Sequence, residues 1–295
     1  MRVSEISRQT NQLRYLQTAS ERMGRLQQEL ATGRRIDRAS DDPAGAALAL
    51  EHRASISFEE QMRRNLASGT AFMNMTEAAL DGVTEALQRA RELTVQASND
   101  ALSTAERTAV ARELDQLISQ LVQLGNTNFG GAYIFAGHQT RSPAFTVTGN
   151  PPTAVTYQGD TGERMHRISR EDAVPVSIPG STAFGTVFSD LIALRDNLQG
   201  GASASVISPA IAVIDGALDL AVQQRAEIGA RVNRFAASLS RSEDTDTSLQ
   251  QLRSEIEEID LPSTIVSLTA QEASMQAALG AIGRTSRLTL LDFLR

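Results

Sequence analysis

The chain has 295 residues, 41% of them hydrophobic but only 4% aromatic and none tryptophan, a balance that favours helix-on-helix packing over a dense globular centre. It has no cysteine and all 28 basic residues are arginine, which excludes thiol nucleophiles, disulfides, cysteine-based metal sites, a standard Walker A loop and a Schiff-base lysine. The net charge of −7 gives no general attraction for nucleic acid, and no run reaches the roughly 18 apolar residues of a membrane span.

The opening "MRVSEISRQTNQLRYLQTAS" lacks the apolar run of a secretory signal peptide. It begins a stripe of Ile6, Leu13, Leu16, Met23 and Leu30, with Ser20 and Gln27 as weak points. Spacings of three, four and seven predict an amphipathic helix able to join a coiled coil. The helix is expected to stop at Gly33, which suits the left-handed position past a helix end.

A second helix starts after "SDDPAG". Pro43 is tolerated in a first helical turn, and it pushes Asp42 into the backbone state that a capping residue needs. Asp41, Asp42 and Pro43 are therefore expected to form a helix-cap joint, with Arg34, Arg35 and Arg38 near enough to hold the aspartates. As an acid–base pair the aspartates would need a further catalytic group, and none is evident.

The second helix carries Leu66, Met73, Leu80 and Leu87 at heptad intervals, with Val83 and Ala90 between them. Gly69 and Gly82 lower its intrinsic stability, and Met62, Met73 and Met75 suit packing. "QASNDALST" marks a turn. Val110, Leu114, Leu117, Leu121 and Leu124 then predict a third helix, antiparallel to the second because the connection is short. Glycine and asparagine stop it in "GNTNFGGAYIFAG", where "AYIF" looks extended.

Residues 141–186 change character. Pro143, Pro151, Pro152, Pro175 and Pro179 fall here, among β-branched runs with the punctuation of hairpins. "QGDTGER", Gln158 to Arg164, reads as a tight hairpin turn, since it has no lysine and no following helix to cradle a phosphate.

Helical pattern resumes near Phe188. Ile211, Ile214, Leu218, Ile228, Phe235 and Leu239 mark a stripe broken only by Arg225. "SEDTDTS" is a polar surface of that helix or a brief interruption, and "SEIEEID", Ser254 to Asp260, reads as a solvated acidic face. Past Pro262 come Ile265, Leu268, Met275, Leu279 and Ile282, then "LTLLDFLR". His52, His138 and His166 have no partner at metal-ligand spacing. No catalytic set, cofactor or metal site is expected.

The fold class expected is mainly α, a long helical bundle and coiled coil formed by the N- and C-terminal segments, with a small β-rich insertion in the middle. The expected divisions are an N-terminal coiled-coil helix (1–40), the first half of the bundle (41–140), the insertion (141–186), the second half of the bundle (187–258) and a C-terminal coiled-coil helix (259–295). Amphipathic helices of this kind are marginal alone in water, so the termini need each other or another molecule. A coiled-coil signalling protein would also show heptads without a catalytic set.

The opening fifty residues, with "LATG" at Leu30 to Gly33 and the double aspartate at Asp41–Asp42, resemble the N-terminus shared by flagellins and flagellar hook-associated proteins. Flagellins usually follow the aspartates with alanine, whereas Pro43 is similar to the hook-associated branch. "NTNFGGAYIFAGHQT", "VTYQGDTGERMHRIS", "VPVSIPG", "IGARVNRF" and "IDLPSTIVSLTAQEASMQAALGAI" resemble the same branch, as does the ending "LLDFLR".

The resemblance implies a hook–filament junction role, in a ring-like self-assembled layer with a hook-associated protein below and flagellin above. It implies terminal helices that line the inside of the assembly and an insertion that points outward. It also implies an extracellular position in the flagellum, reached through the type III export apparatus without a cleaved signal peptide. A cytoplasmic export chaperone would be bound near the C-terminus, for which Leu268, Met275 and Leu279 are a guess. Nucleic acid and membrane insertion have no part in it.

The assembly interface expected on this basis comprises Ile6, Leu13, Leu16, Met23 and Leu30 at the N-terminal end. At the C-terminal end it comprises Ile265, Leu268, Met275, Leu279, Ile282, Leu291, Phe293 and Leu294. A short flagellin that builds the filament itself is the nearest alternative.

Overall fold

The computed structural model describes the backbone of residues 2–99 and 101–293, and the side chains of residues 7, 10–99 and 101–283. The described elements begin with three helices, α1 (Arg2–Thr32), α2 (Pro43–Ala97) and α3 (Thr104–Gly125). Six short strands follow: β1 (Asn128–Phe129), β2 (Ala132–Tyr133), β3 (Phe145–Thr148), β4 (Ala154–Tyr157), β5 (Met165–Arg167) and β6 (Ala173–Pro175). The chain then returns through α4 (Gly180–Phe184), α5 (Val187–Gln199), α6 (Ala204–Ile207), α7 (Pro209–Glu257) and α8 (Leu261–Phe293). The fold is mainly α with a small β-rich insertion, as the sequence leads one to expect. It divides into two compact units, Met1–Phe58 with Thr245–Arg295, and Glu59–Asp244.

The second unit is organised by the α2 heptads. Leu66, Met73, Leu80 and Leu87 are all fully buried, as are Leu114, Ile118 and Leu121 of α3. Ser103 caps α3 in a reciprocal box with Glu106, whose carboxyl is held below the usual range by the Ser103 backbone N–H. α3 runs antiparallel to α2, as expected. Arg89 Nε donates to Glu113 at 2.7 Å, and Leu124 sits over Gly82, where a Cβ would lie 3.1 Å from its Cδ2.

α7 also runs back along α2. Arg91 meets Asp215 at 2.5 Å, Arg225 meets Glu77 at 2.9 Å and Asp81 at 2.7 Å, and Phe235 lies on Gly69. The interruption at Arg225 in the apolar stripe is therefore an ion-paired position. "SEDTDTS" does not break the helix, since α7 is continuous through it. Residues 204–257 contain a stretch long and apolar enough, by length and composition alone, to cross a membrane, where the sequence reading expected none. Asp215 and Arg225 of the same helix are both paired to α2.

The insertion consists of two antiparallel hairpins, β3–β4 and β5–β6. "QGDTGER" is not a hairpin turn, because it connects the two hairpins rather than closing either. Its Asp160 Oδ1 accepts from the backbone N–H groups of His138 at 2.9 Å and Gly162 at 2.8 Å. The His138 amide, followed by that of Gly162, holds the Asp160 carboxyl below the usual carboxylate range. Gly137 has a φ of +66°, and a Cβ there would lie 2.1 Å from Asp160 Oδ1. The "FAG" and "QGD" segments are thus clasped together. Phe145, Phe184 and Phe188 stack beneath, with ring centroids 4.9–5.3 Å apart.

Candidate functional site

In the first unit α1 ends because Gly33 takes a φ of +69°, a state that costs a residue with a Cβ about 1–2 kcal/mol. Its N–H still donates to Glu29 O at 2.8 Å and closes the last turn. The next residues run antiparallel to the end of α7. Arg34 forms a bridge with Glu258, Arg35 N donates to Glu257 O at 2.6 Å, and Ile259 N donates to Gly33 O at 3.2 Å.

Arg35 joins two helix ends. Its Nη2 donates to Ile256 O at 2.9 Å, a last-turn carbonyl of α7 with no partner inside that helix. The cation also sits at the negative end of the helix dipole. The same guanidinium lies 3.7 Å from Asp42. Asp42 Oδ1 accepts from Gly45 N at 2.9 Å, so it is the N-cap of α2, and Pro43 is the first helical residue.

Asp41 turns the other way, its Oδ2 accepting from Arg38 N at 2.9 Å. Arg35 holds an aspartate through its side chain, Arg38 does so through its backbone, and Arg34 is engaged in the bridge. Gly45 is needed here, because a Cβ would lie 2.6 Å from both Asp42 Oδ2 and the buried Ile36 Cδ1.

Beside the bridge, the Glu257 carboxylate is buried and meets Arg53 Nη2 at 2.6 Å. This corrects the reading of "SEIEEID" as a wholly solvated face. Arg53 is itself 43% exposed, so the sequence carries no signal of this pair. α8 then restarts on Asp260 O, which accepts from Thr264 N at 2.9 Å.

α1 and α8 pack antiparallel. Tyr15 Oη lies 3.1 Å from Ser274 Oγ, and Gln271 Nε2 donates to Ala19 O at 3.4 Å. Leu16, Met23 and Leu30 of the expected stripe are half-buried, and between them the inward positions are Ala19 and Leu26. Ser20 and Gln27 face solvent. On α8, Leu268, Met275 and Ile282 are half-buried.

The remaining described residues of the expected interface are on the outside. Leu13 is 61% exposed, Ile265 50% and Leu279 52%, with Val266 beside them at 68%. The side chains of Ile6, Leu291 and Phe293, and the whole of Leu294, lie outside the described residues. The unit thus combines a hydrogen-bonded joint, a lightly buried helix pair and apolar side chains with no covering in the chain itself.

Residues 3–140 match the family described as the bacterial flagellin N-terminal helical region. A flagellar filament 30.7 kDa core protein of Treponema maltophilum is 28% identical over 267 residues, 88% of this chain and 87% of that protein. Flagellar hook-associated protein 3 of Escherichia coli is 26% identical over 292 residues, 90% of each chain. The crystal structure of Bacillus cereus FlgL is similar at 26% identity and a TM-score of 0.60, covering 69% of this chain and 99% of that one.

Proposed function

From a chain whose residues 3–140 match the bacterial flagellin N-terminal helical region, we propose a structural component of the flagellum that joins the hook, through a hook-associated layer, to the flagellin filament. The observation that carries this reading is the apolar face of the terminal helix pair. Leu13 on α1 and Ile265 and Leu279 on α8 are each at least half exposed, on helices that bury little against each other. Ordering such helices costs about 1–2 kcal/mol per residue in backbone entropy, and burial against neighbouring subunits offsets it. The likeness to a hook-associated protein over nine-tenths of both chains supports the junction, as does the Asp42–Pro43 cap.

The divisions proposed for this role are 1–40 and 259–295 as inner assembly helices, 41–140 and 187–258 as the bundle, and 141–186 as the outer insertion. Self-assembly would use Leu13, Ile265 and Leu279 first. Leu16, Met23, Leu30, Leu268, Met275 and Ile282 hold the pair together, and the proposed interface also takes in Ile6, Leu291, Phe293 and Leu294, whose side chains lie outside the described residues. Export through the type III apparatus, without a cleaved signal peptide, leaves the chain outside the cell. A cytoplasmic chaperone bound at Leu268, Met275 and Leu279 would act before α8 pairs with α1, since Leu268 and Met275 are half-buried in that pair. No catalytic role is proposed.

The test is a Leu13→Glu, Ile265→Glu variant in a strain lacking the native gene. It is expected to be exported yet to leave hooks without filaments by electron microscopy. Normal filaments would overturn the assembly role of this face. A second reading, a short flagellin that forms the filament itself, is favoured by the likeness to a filament core protein at 28% identity.

A further inference from the structure

We infer that the joint between the two helix breaks sets the register of α1 against α8, with Arg35 as the positioning residue. The helix pair does little to fix its own register. Along α1 the half-buried positions Leu16, Met23 and Leu30 repeat at heptad spacing, as do Leu268, Met275 and Ile282 on α8. At these positions a slip of one heptad exchanges one aliphatic or methionine side chain for another, at little cost in packing, and the change of size falls at Ala19, seven residues before Leu26. Two polar contacts along the pair, Tyr15 with Ser274 and Gln271 with Ala19 O, use the Tyr15, Ser274 and Gln271 side chains, which reach solvent, so water can replace them.

The joint is different. Arg35 N to Glu257 O, Ile259 N to Gly33 O and Arg35 Nη2 to Ile256 O are three directional bonds between the end of α1 and the end of α7. They cannot be remade one heptad away. Glu257 is fixed in turn, because its carboxylate is buried against Arg53. Asp260 O, which starts α8, is three residues beyond that anchor. The end of α1 and the start of α8 are therefore tied to the same point, and the antiparallel pair grows from it.

Register decides which residues of α8 lie across from Leu13, and the Tyr15–Ser274 contact puts it near Leu279 rather than Ile265. That consequence rests on the proposed assembly role. The register itself is read on the isolated chain, so either can fail without the other.

The absence of cysteine makes the test clean. Spin labels are placed at Thr18→Cys with Glu272→Cys, and separately at Thr18→Cys with Ile265→Cys or with Leu279→Cys, one heptad to either side. Pulsed electron resonance on the full chain is expected to give one narrow distance for each pair. With Arg35→Ala, the Thr18–Glu272 pair is expected to acquire a second distance equal to that of a flanking pair, which corresponds to an axial slip of about 10 Å. Arg35→Lys, which still reaches a carbonyl and Asp42, is expected to restore the single distance. An unchanged distance in Arg35→Ala would overturn the inference, because the register then does not depend on the Arg35 side chain. A featureless broad distribution would overturn it too, since Arg35 would then only stabilise the pair. Two distances in the unsubstituted chain would have the same force.

Discussion

The carboxylate of Glu257, in a residue only 5% exposed, meets Arg53 Nη2 at 2.6 Å. A buried carboxylate left without its cation is costly, about 3–5 kcal/mol where both partners are buried. Arg53 is itself 43% exposed, and Arg253 Nε lies 4.0 Å from the other Glu257 oxygen, so water and the second arginine take up part of the loss. Arg53→Ala is expected to destabilise the chain by about 2 kcal/mol in urea unfolding, and Glu257→Gln by less, because the amide is cheaper to bury. Equal stability of Arg53→Ala and the unsubstituted chain would mean that the pair is held open to solvent.

The Asp42 cap has a separate signature. Removing the acceptor of the Gly45 N–H leaves one first-turn donor of α2 without its partner. Asp42→Ala should lower stability by about 1 kcal/mol, while Asp42→Asn should cost only a few tenths of that, since asparagine caps as well. Urea midpoints of the two variants separate the cap from the 3.7 Å approach of Arg35, which only the charged residue supports.

Gly69 is a place where helix propensity and packing oppose each other. Alanine gains about 1 kcal/mol over glycine in a helix interior. Its Cβ would lie 2.4 Å from Cε1 of Phe235, a fully buried ring with no room to retreat. Overpacking of that kind costs about 1–3 kcal/mol, so Gly69→Ala is expected to lower the thermal midpoint despite the better helix former. A rise in the midpoint would show that α2 and α7 separate without cost at this level.

The Asp160 clasp gives the insertion an acid-sensitive element. The folded carboxyl titrates below its unfolded value because the amides of His138 and Gly162 favour the anion. Its contribution is therefore present above the unfolded pKa and is lost as pH falls through the folded one. Protection of the Gly162 and His138 amides, measured against their intrinsic exchange rates at each pH, should fall as the pH drops below the usual aspartate range. Asp160→Ala should show that loss of protection at neutral pH, and slow exchange in that variant would contradict the clasp.

Much of the bundle is legible in the sequence, because α2 and α3 have several neighbours each and show full heptad stripes. Leu66, Met73, Leu80, Leu87 and Leu114 are all buried where the pattern puts them. The cap at Asp42 and the end at Gly33 follow from local backbone chemistry and need no partner to be seen. α1 was only half legible. Its Leu16, Met23 and Leu30 positions point inward, but the partner helix selects Ala19 and Leu26 between them and leaves Leu13 outside. A single helix cannot announce that choice, since small Ala19 is as inconspicuous as large Leu13 is prominent. Glu257 and Arg53 were missed for a related reason, each looking like an ordinary surface charge until the chain returns. The turn at Asp160 was misread because its side chain bonds to a segment before the hairpins, which spacing does not reveal.

The most direct test of the junction role is flagellin in the culture supernatant of a strain deleted for this gene, with electron microscopy of the same cells. The account predicts hooks without filaments and abundant flagellin shed into the medium. Normal filaments would contradict it. Bare hooks with no shed flagellin would contradict it as well, because the chain would then be the filament subunit itself.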